Sequence, residues 1–207
     1  MEKRWIVLII MIGAVVLSVL CLAAWVVSTY NNLISLDETV QTQWGNVQTN
    51  YQRRADLYAS QLPIVVAGAA QELAVFKELR KQAEGLRTSL NYTSAPTGSD
   101  AEKLAGQIAT FDTAVLSFNA YVADNPEIVS VDLYRDFMVL VEGTENRINV
   151  ARRDYNNSVR AFRTKVRTFP ANLVAPIAGL NADMYVYFEA QSNAQGVPEL
   201  VFPTTAP

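Results

Sequence analysis

The 207-residue sequence predicts an all-α protein: a single N-terminal transmembrane helix continuing into an antiparallel four-helix bundle, with a C-terminal extended tail. Three observations carry that expectation. Trp5 to Val27 runs for 23 residues without a charge. Beyond it, apolar residues recur every three or four positions, the period of one helix face. No β-alternation of useful length occurs before the last 40 residues, so the helices have mainly one another to bury against. The expected organisation is a cytoplasmic N-terminus and anchor over residues 1–27, a bundle over 28–169, and a tail over 170–207 that packs on the bundle, the membrane surface or a neighbouring subunit.

The first element is the apolar run. A bilayer core of about 30 Å needs about 20 helical residues, so this run can span it. Trp5 and Trp25 lie near its two ends, where indoles favour the headgroup interface. A cleaved signal peptide is the competing reading, because Ala23 and Ala24 are small enough for a peptidase, but the run exceeds a typical signal-peptide core of about 7 to 15 residues. Cys21 follows the bulky Leu20, which argues against a lipoprotein site. Lys3 and Arg4 precede the run and no Lys or Arg falls between Ser28 and Gln52, an asymmetry that places the N-terminus in the cytoplasm and the bundle outside.

Four stripes follow. The first is Leu33, Leu36, Val40, Trp44, Val47, Tyr51, Ala55 and Tyr58; with no Gly or Pro between Val27 and Trp44, this helix is expected to continue straight from the span. After a break near Pro63 comes Leu73, Phe76, Leu79, Ala83, Leu86 and Leu90. The polar stretch NYTSAPTGSD reads as a loop, with Ser99 and Glu102 spaced as a capping box. The third stripe is Leu104, Ile108, Phe111, Val115, Phe118 and Val122, and Asn125-Pro126-Glu127 marks another helix start. The fourth is Leu133, Phe137, Leu140, Thr144, Ile148, Ala151, Tyr155, Val159, Phe162, Val166 and Phe169. Arginines 152, 153, 160, 163 and 167 lie off that line and read as flanking or solvated, whereas Arg147 is expected to be partly buried with Glu142 or Glu145 as its partner. Pro176 and Gly179 interrupt any helix after Pro170, the aromatic run MYVYFEA is too apolar for a floating linker, and the final PTTAP reads as a frayed end.

Composition narrows the chemistry. The chain has no histidine, one cysteine and a formal charge of −3. Imidazole-based relays, His-ligated zinc and an internal disulfide are therefore excluded. No phosphate-binding glycine loop, dinucleotide fingerprint or acidic calcium loop is present. No catalytic, cofactor-binding or metal-binding residue is assigned, no cofactor is expected, and the chain is read as not an enzyme; the acidic candidates Glu142 and Glu145 read as helix-surface charges. Asn91-Tyr92-Thr93 and Asn156-Asn157-Ser158 fit the glycosylation pattern without marking a site.

Seven basic residues fall between Gly143 and Pro170. If the helices alternate in direction, the fourth ends near the bilayer. Arg160, Arg163, Lys165 and Arg167 then become the candidate lipid- or partner-facing residues, either complementing the helix dipole or attracting anionic headgroups. Nucleic acid is not an expected partner, because residues 28–207 are acidic by four charges.

YNNLISLDETVQTQW, YQRRADL, TENRINVARRDYNNSVRAFRTKVRTFPANLVAPIAGL, YFEA and VPELVF, in that order behind one span, resemble the LemA family of membrane-anchored bacterial and archaeal proteins. The resemblance covers nearly the whole chain. It implies a four-helix soluble part, relatives associated with magnetosomes and membrane organisation, and no established catalytic residue. The chain departs from the family where Tyr58-Ala59-Ser60 replaces an Ile-Pro-Asn turn, so a longer join between the first two bundle helices is expected. The resulting expectation is a non-enzymatic scaffold at the cell envelope that binds the bilayer and other membrane or envelope proteins and self-associates. The alternative is an anionic-lipid-binding, membrane-organising module using the four basic residues with ANLVAPIAGL.

Overall fold

Helix α1 runs unbroken over Glu2–Asp56, 55 residues, because its sequence contains no proline and its two glycines are single. Ser18 returns its hydroxyl to the Ala14 carbonyl at 2.8 Å, so the polar atom is satisfied inside its own helix. A computed structural model of the chain describes residues 2–66 and 68–188. The expectations for VPELVF and PTTAP fall outside those residues. Among the described residues the fold is all-α, with one isolated antiparallel bridge between Val66 and Val129. Among the described residues a single helix, α1, is long and apolar enough to cross a membrane, with a mean hydropathy of 3.2 over its most apolar window and none of that window buried.

The chain forms two compact units, and the limits at 39/40 and 159/160 fall inside helices. One comprises residues 2–39 with Arg160–Met184. Its interior is built by Leu33 and Thr29 of α1, Phe162 and Val166 near the end of α5 (Val131–Arg167), and Ala171, Val174, Ala175 and Leu180. The short helix α6 covers Ala171–Val174. Beyond it the chain turns at Gly179, whose φ of +72° favours glycine, while Leu180 N–H donates to the Ala175 carbonyl at 2.9 Å.

The other unit comprises Val40–Val159 with residues 185–188, and it is the antiparallel four-helix bundle. Its helices are the later part of α1, α3 (Ala74–Ser89), α4 (Gly98–Asp124) and the body of α5. Cross-helix pairs fix the directions. Trp44 meets Tyr155 and Arg54 meets Glu145, so α1 and α5 are antiparallel. Gln82 bonds Gln107 and Phe76 meets Phe118, so α3 and α4 are too. The core contains Tyr51, Tyr58, Leu79, Leu86, Phe111, Phe118 and Tyr155, all less than 3 % exposed.

The joins differ in detail from the sequence expectation. α1 is followed by a π-helical turn at Leu57–Gln61 and the short helix α2 at Leu62–Val65, so Pro63 lies inside a helix. The wider π turn bonds Leu62 N–H to the Leu57 carbonyl just ahead of Pro63, which has no N–H to donate. The helical path therefore ends at Val65, two residues beyond Pro63, and Gln71 donates to the Pro63 carbonyl at 2.8 Å. A 3-10 turn at Gly68–Glu72 leads into α3.

The loop over 91–97 is held to α1 by glutamines: Gln48 donates to the carbonyls of Leu90 and Tyr92, and Gln41 Oε1 accepts from Ala95 N–H at 2.7 Å. The expected capping box is not formed; Thr97 occupies the cap position without a side-chain bond, and Ser99 lies within the first turn. Asn125-Pro126-Glu127 starts a 3-10 turn, Pro126–Ile128, and α5 begins only at Val131.

The fourth stripe also shifts. Leu133 and Leu140 are about half exposed, and Tyr134, Met138 and Val141 take the interior. From Thr144 to Val166 the expected residues are buried, whereas Phe169 is 74 % exposed.

Candidate functional site

Arg54 is buried in the bundle unit at 7 % exposure, between two carboxylates. Its Nη1 lies 2.6 Å from Asp112 of α4 and its Nε 2.5 Å from Glu145 of α5, while its guanidinium carbon stands 4.9 Å from the centre of the Phe111 ring. Neither charge contact at Nε or at Asp112 Oδ1 has the alignment of a good hydrogen bond. Tyr51 and Tyr58 complete the surroundings, with burial holding both phenols above their ordinary pKa. Burial disfavours the charge on Arg54, but Glu145 and then Asp112 outweigh it and raise its pKa. For Glu145, burial raises the carboxyl pKa despite the nearby arginine. Tyr134, near the start of α5, is pushed up to about 12 by burial, and its hydroxyl meets Asn119 Oδ1 at 3.1 Å.

This cluster corrects two expectations. Arg147 is exposed, not partly buried, and Glu145 turns inward to Arg54. Glu142 is exposed as expected for a helix-surface charge. Among the described residues no group of three or more His, Cys, Asp or Glu side chains is placed to hold a metal. An arginine between two carboxylates links three helices.

On the outside of the same unit, the π turn and α5 border a groove of about 430 Å³. Arg53, Ser60, Gln61, Leu140, Thr144 and Arg147 are among its lining residues. Asp56, also on its edge, is turned to Arg87 at 3.1 Å. Arg53 and Arg147 are exposed and have no ion pair among the described residues, and Val139 and Leu140 beside them are 61 % and 50 % exposed. On α5, Leu133, Leu140 and Arg147 recur every seven residues and so share one stripe. The groove therefore offers positive charge and uncovered apolar surface together.

The four basic residues near the end of α5 are placed unequally. Arg163 Nε donates to the Ala182 carbonyl at 2.8 Å, and its terminal amine lies 3.6 Å from Asp183. Arg167 reaches the same carboxylate at 3.1 Å. Both fasten the segment after α6 within their own unit. Arg160 is exposed and Lys165 half-buried, with no ion pair among the described residues.

The aromatic run after Met184 packs on its own bundle. Phe188 stacks against Trp44 with centroids 6.1 Å apart, meets Tyr155 edge-on at 5.4 Å, and lies under the Arg152 guanidinium. Asn156 holds its backbone from both sides, donating to the Phe188 carbonyl at 2.8 Å and accepting from its N–H at 2.9 Å. The Asn156-Asn157-Ser158 triplet thus has its first amide engaged and its serine buried.

Fold and site define a class: a helical bundle behind one membrane-length helix, with an ion-paired interior and a basic, partly apolar groove outside. Within that class, the model of the LemA family matches residues 43–202, and the chain belongs to that family. It is 28 % identical over 190 residues to the magnetosome proteins MamQ 1 and MamQ 2 of Paramagnetospirillum magneticum (strain ATCC 700264 / AMB-1), covering 82 % of this chain and 69 % of each relative. The magnetosome protein MamQ of Magnetospirillum gryphiswaldense (strain DSM 6361 / JCM 21280 / NBRC 15271 / MSR-1) is 22 % identical over 218 residues, covering 96 % of this chain and 79 % of that protein.

Proposed function

We propose that the chain is a membrane-anchored, non-enzymatic interaction module of the cell envelope, which holds a protein partner against the groove between the π turn and α5. The observation that carries this reading is the pairing of Arg53 and Arg147 with the exposed Val139 and Leu140 at one depression. Guanidinium groups give planar, two-pronged recognition of carboxylates, and uncovered aliphatic side chains gain from leaving water, so the matching partner surface is acidic with an apolar centre. The π turn supports the reading, since such turns recur where a helix is shaped for a site. The likeness to proteins named for the magnetosome supports work at a membrane.

The reading is tested by placing a photocrosslinking residue at Leu140 in the full chain and irradiating intact cells. Discrete protein adducts are expected, and they should disappear when Arg53 and Arg147 are both changed to Glu. Adducts that persist unchanged in the double variant, or their absence at Leu140, would remove the groove as the docking face.

A further inference from the structure

Phe169, Leu173 and Ile177 are 74 %, 60 % and 83 % exposed, the strongest run of uncovered large apolar side chains outside the N-terminal span. They recur every four residues through a stretch, 169–182, that contains no charged side chain. The opposite side of the same stretch is buried through Ala171, Val174 and Ala175. Both sides are thus apolar, and water is a poor solvent for the outward one.

The position of this stretch says what covers it. It belongs to the compact unit that contains residues 2–39, and that unit includes the wholly uncovered apolar helix from Trp5. Leu33 is fully buried in that unit, only six residues after Val27, the end of the uncharged run. At 1.5 Å per helical residue that interval is about 9 Å, the scale of a headgroup layer. Arg163 and Arg167 fix the stretch from behind through the Ala182 carbonyl and Asp183. Arg160 and Lys165, which precede it on α5 and have no ion pair among the described residues, remain as cations. Uncovered aliphatic and aromatic side chains next to Lys and Arg, close to a membrane span, are the composition of a segment that lies in the interface of an anionic bilayer.

We propose that residues 169–177 form a second membrane contact, with Phe169, Leu173 and Ile177 seated at the boundary of headgroups and acyl chains and Arg160 and Lys165 at the lipid phosphates. The occupant of this face is lipid, and the contact is independent of the groove on the bundle unit. It fixes the angle at which α1 leaves the bilayer, because a helix held by its span and by a lateral foot cannot swivel freely.

The test uses the full chain with Cys21→Ser, carrying single changes Phe169→Cys, Leu173→Cys or Ile177→Cys labelled with an environment-sensitive fluorophore. Leu133→Cys and Leu140→Cys, exposed apolar positions of the bundle unit, serve as controls. Each protein is placed in nanodiscs of phosphatidylcholine with phosphatidylglycerol, and circular dichroism verifies its helix content. Blue-shifted emission, protection from an aqueous quencher and quenching by brominated lipid are expected at 169, 173 and 177, with none of the three at the controls. Control-like behaviour at 173 and 177 would overturn the proposal. Protection from the aqueous quencher without quenching by brominated lipid would also overturn it, because protein, such as a second copy of the chain, would then be the cover. Photocrosslinks at Leu140 are unaffected by either result, so the two readings fail separately.

Discussion

Arg54 shows how one side chain can decide whether three helices close. Its charge is out of water, and Asp112 and Glu145, with side chains 24 % and 35 % exposed, are held against it. Arg54→Ala would leave two carboxylates without the cation between them, so the expected loss of stability is about 3–5 kcal/mol, the usual cost of breaking a buried pair from one side. Replacing all three together by Met, Leu and Met should recover most of that loss in denaturant melts, since well-packed apolar groups avoid the desolvation cost. A triple variant no more stable than Arg54→Ala would show that the charges specify the packing.

Glu145 adds a pH dependence. Its folded pKa is raised above the ordinary 4.5, so the folded state binds the proton more tightly than the unfolded chain does. The stabilisation from protonated Glu145 is complete below 4.5 and is lost as pH rises through the folded pKa. Glu145→Gln should therefore remove a fall in stability across that window, read from denaturant midpoints over a pH series. An unchanged slope would assign it to another group.

In the sequence this cluster is marked by single charges at stripe positions. Arg54 continues Val47 and Tyr51 toward Tyr58 at spacings of 4, 3 and 4; Asp112 stands between Ile108 and Val115, and Glu145 between Val141 and Ile148, at spacings of 4 and 3. Each has an apolar or small neighbour, Ala55, Phe111 or Thr144, that satisfies the helical period equally well, so periodicity alone does not single out the charged residue.

At the scale of elements, each long helix was legible because its apolar face repeats over many turns, while the ends and joins were not. The π turn falls just ahead of Pro63, which has no N–H to donate, and the 3-10 turn begins at Pro126, but which neighbouring carbonyls are bonded depends on the packing around them. In the early part of α5 the period fits two registers: Leu133 and Leu140 are as apolar as Tyr134 and Val141, and only the neighbouring helices decide which pair turns inward. The sequence leaves the tail over 170–207 three docking places, and within the bundle unit Asn156 bonds the backbone of Phe188. Asn156→Ala removes both backbone bonds to Phe188, with an expected cost of about 1–3 kcal/mol for the two together. Because Phe188 stacks on Trp44, the change should also alter tryptophan emission. Emission and stability both equal to wild type would mean that the aromatic contacts hold this segment without the asparagine.

For the whole molecule, topology rests on the charge asymmetry around the span. Lys3 and Arg4 before it, and no basic residue from 28 to 52 after it, favour a cytoplasmic N-terminus with the bundle outside. In intact cells carrying Cys21→Ser and a single cysteine in place of Thr110, which is exposed on α4, a membrane-impermeant maleimide is expected to label the protein without lysis. Labelling only after lysis would reverse the orientation.

The sequence by itself determined the all-helical class, one membrane-length run, and the family through the order of its motifs. These are local properties, set by uninterrupted apolarity and by a period that a single helix carries along its own length. Tertiary structure alone decided that Arg54 is the buried arginine, that Arg163 and Arg167 brace the chain behind them, and that Phe169, Leu173 and Ile177 are left uncovered. Each of those outcomes depends on what a second helix places opposite, and burial is a property of the pair of surfaces that meet.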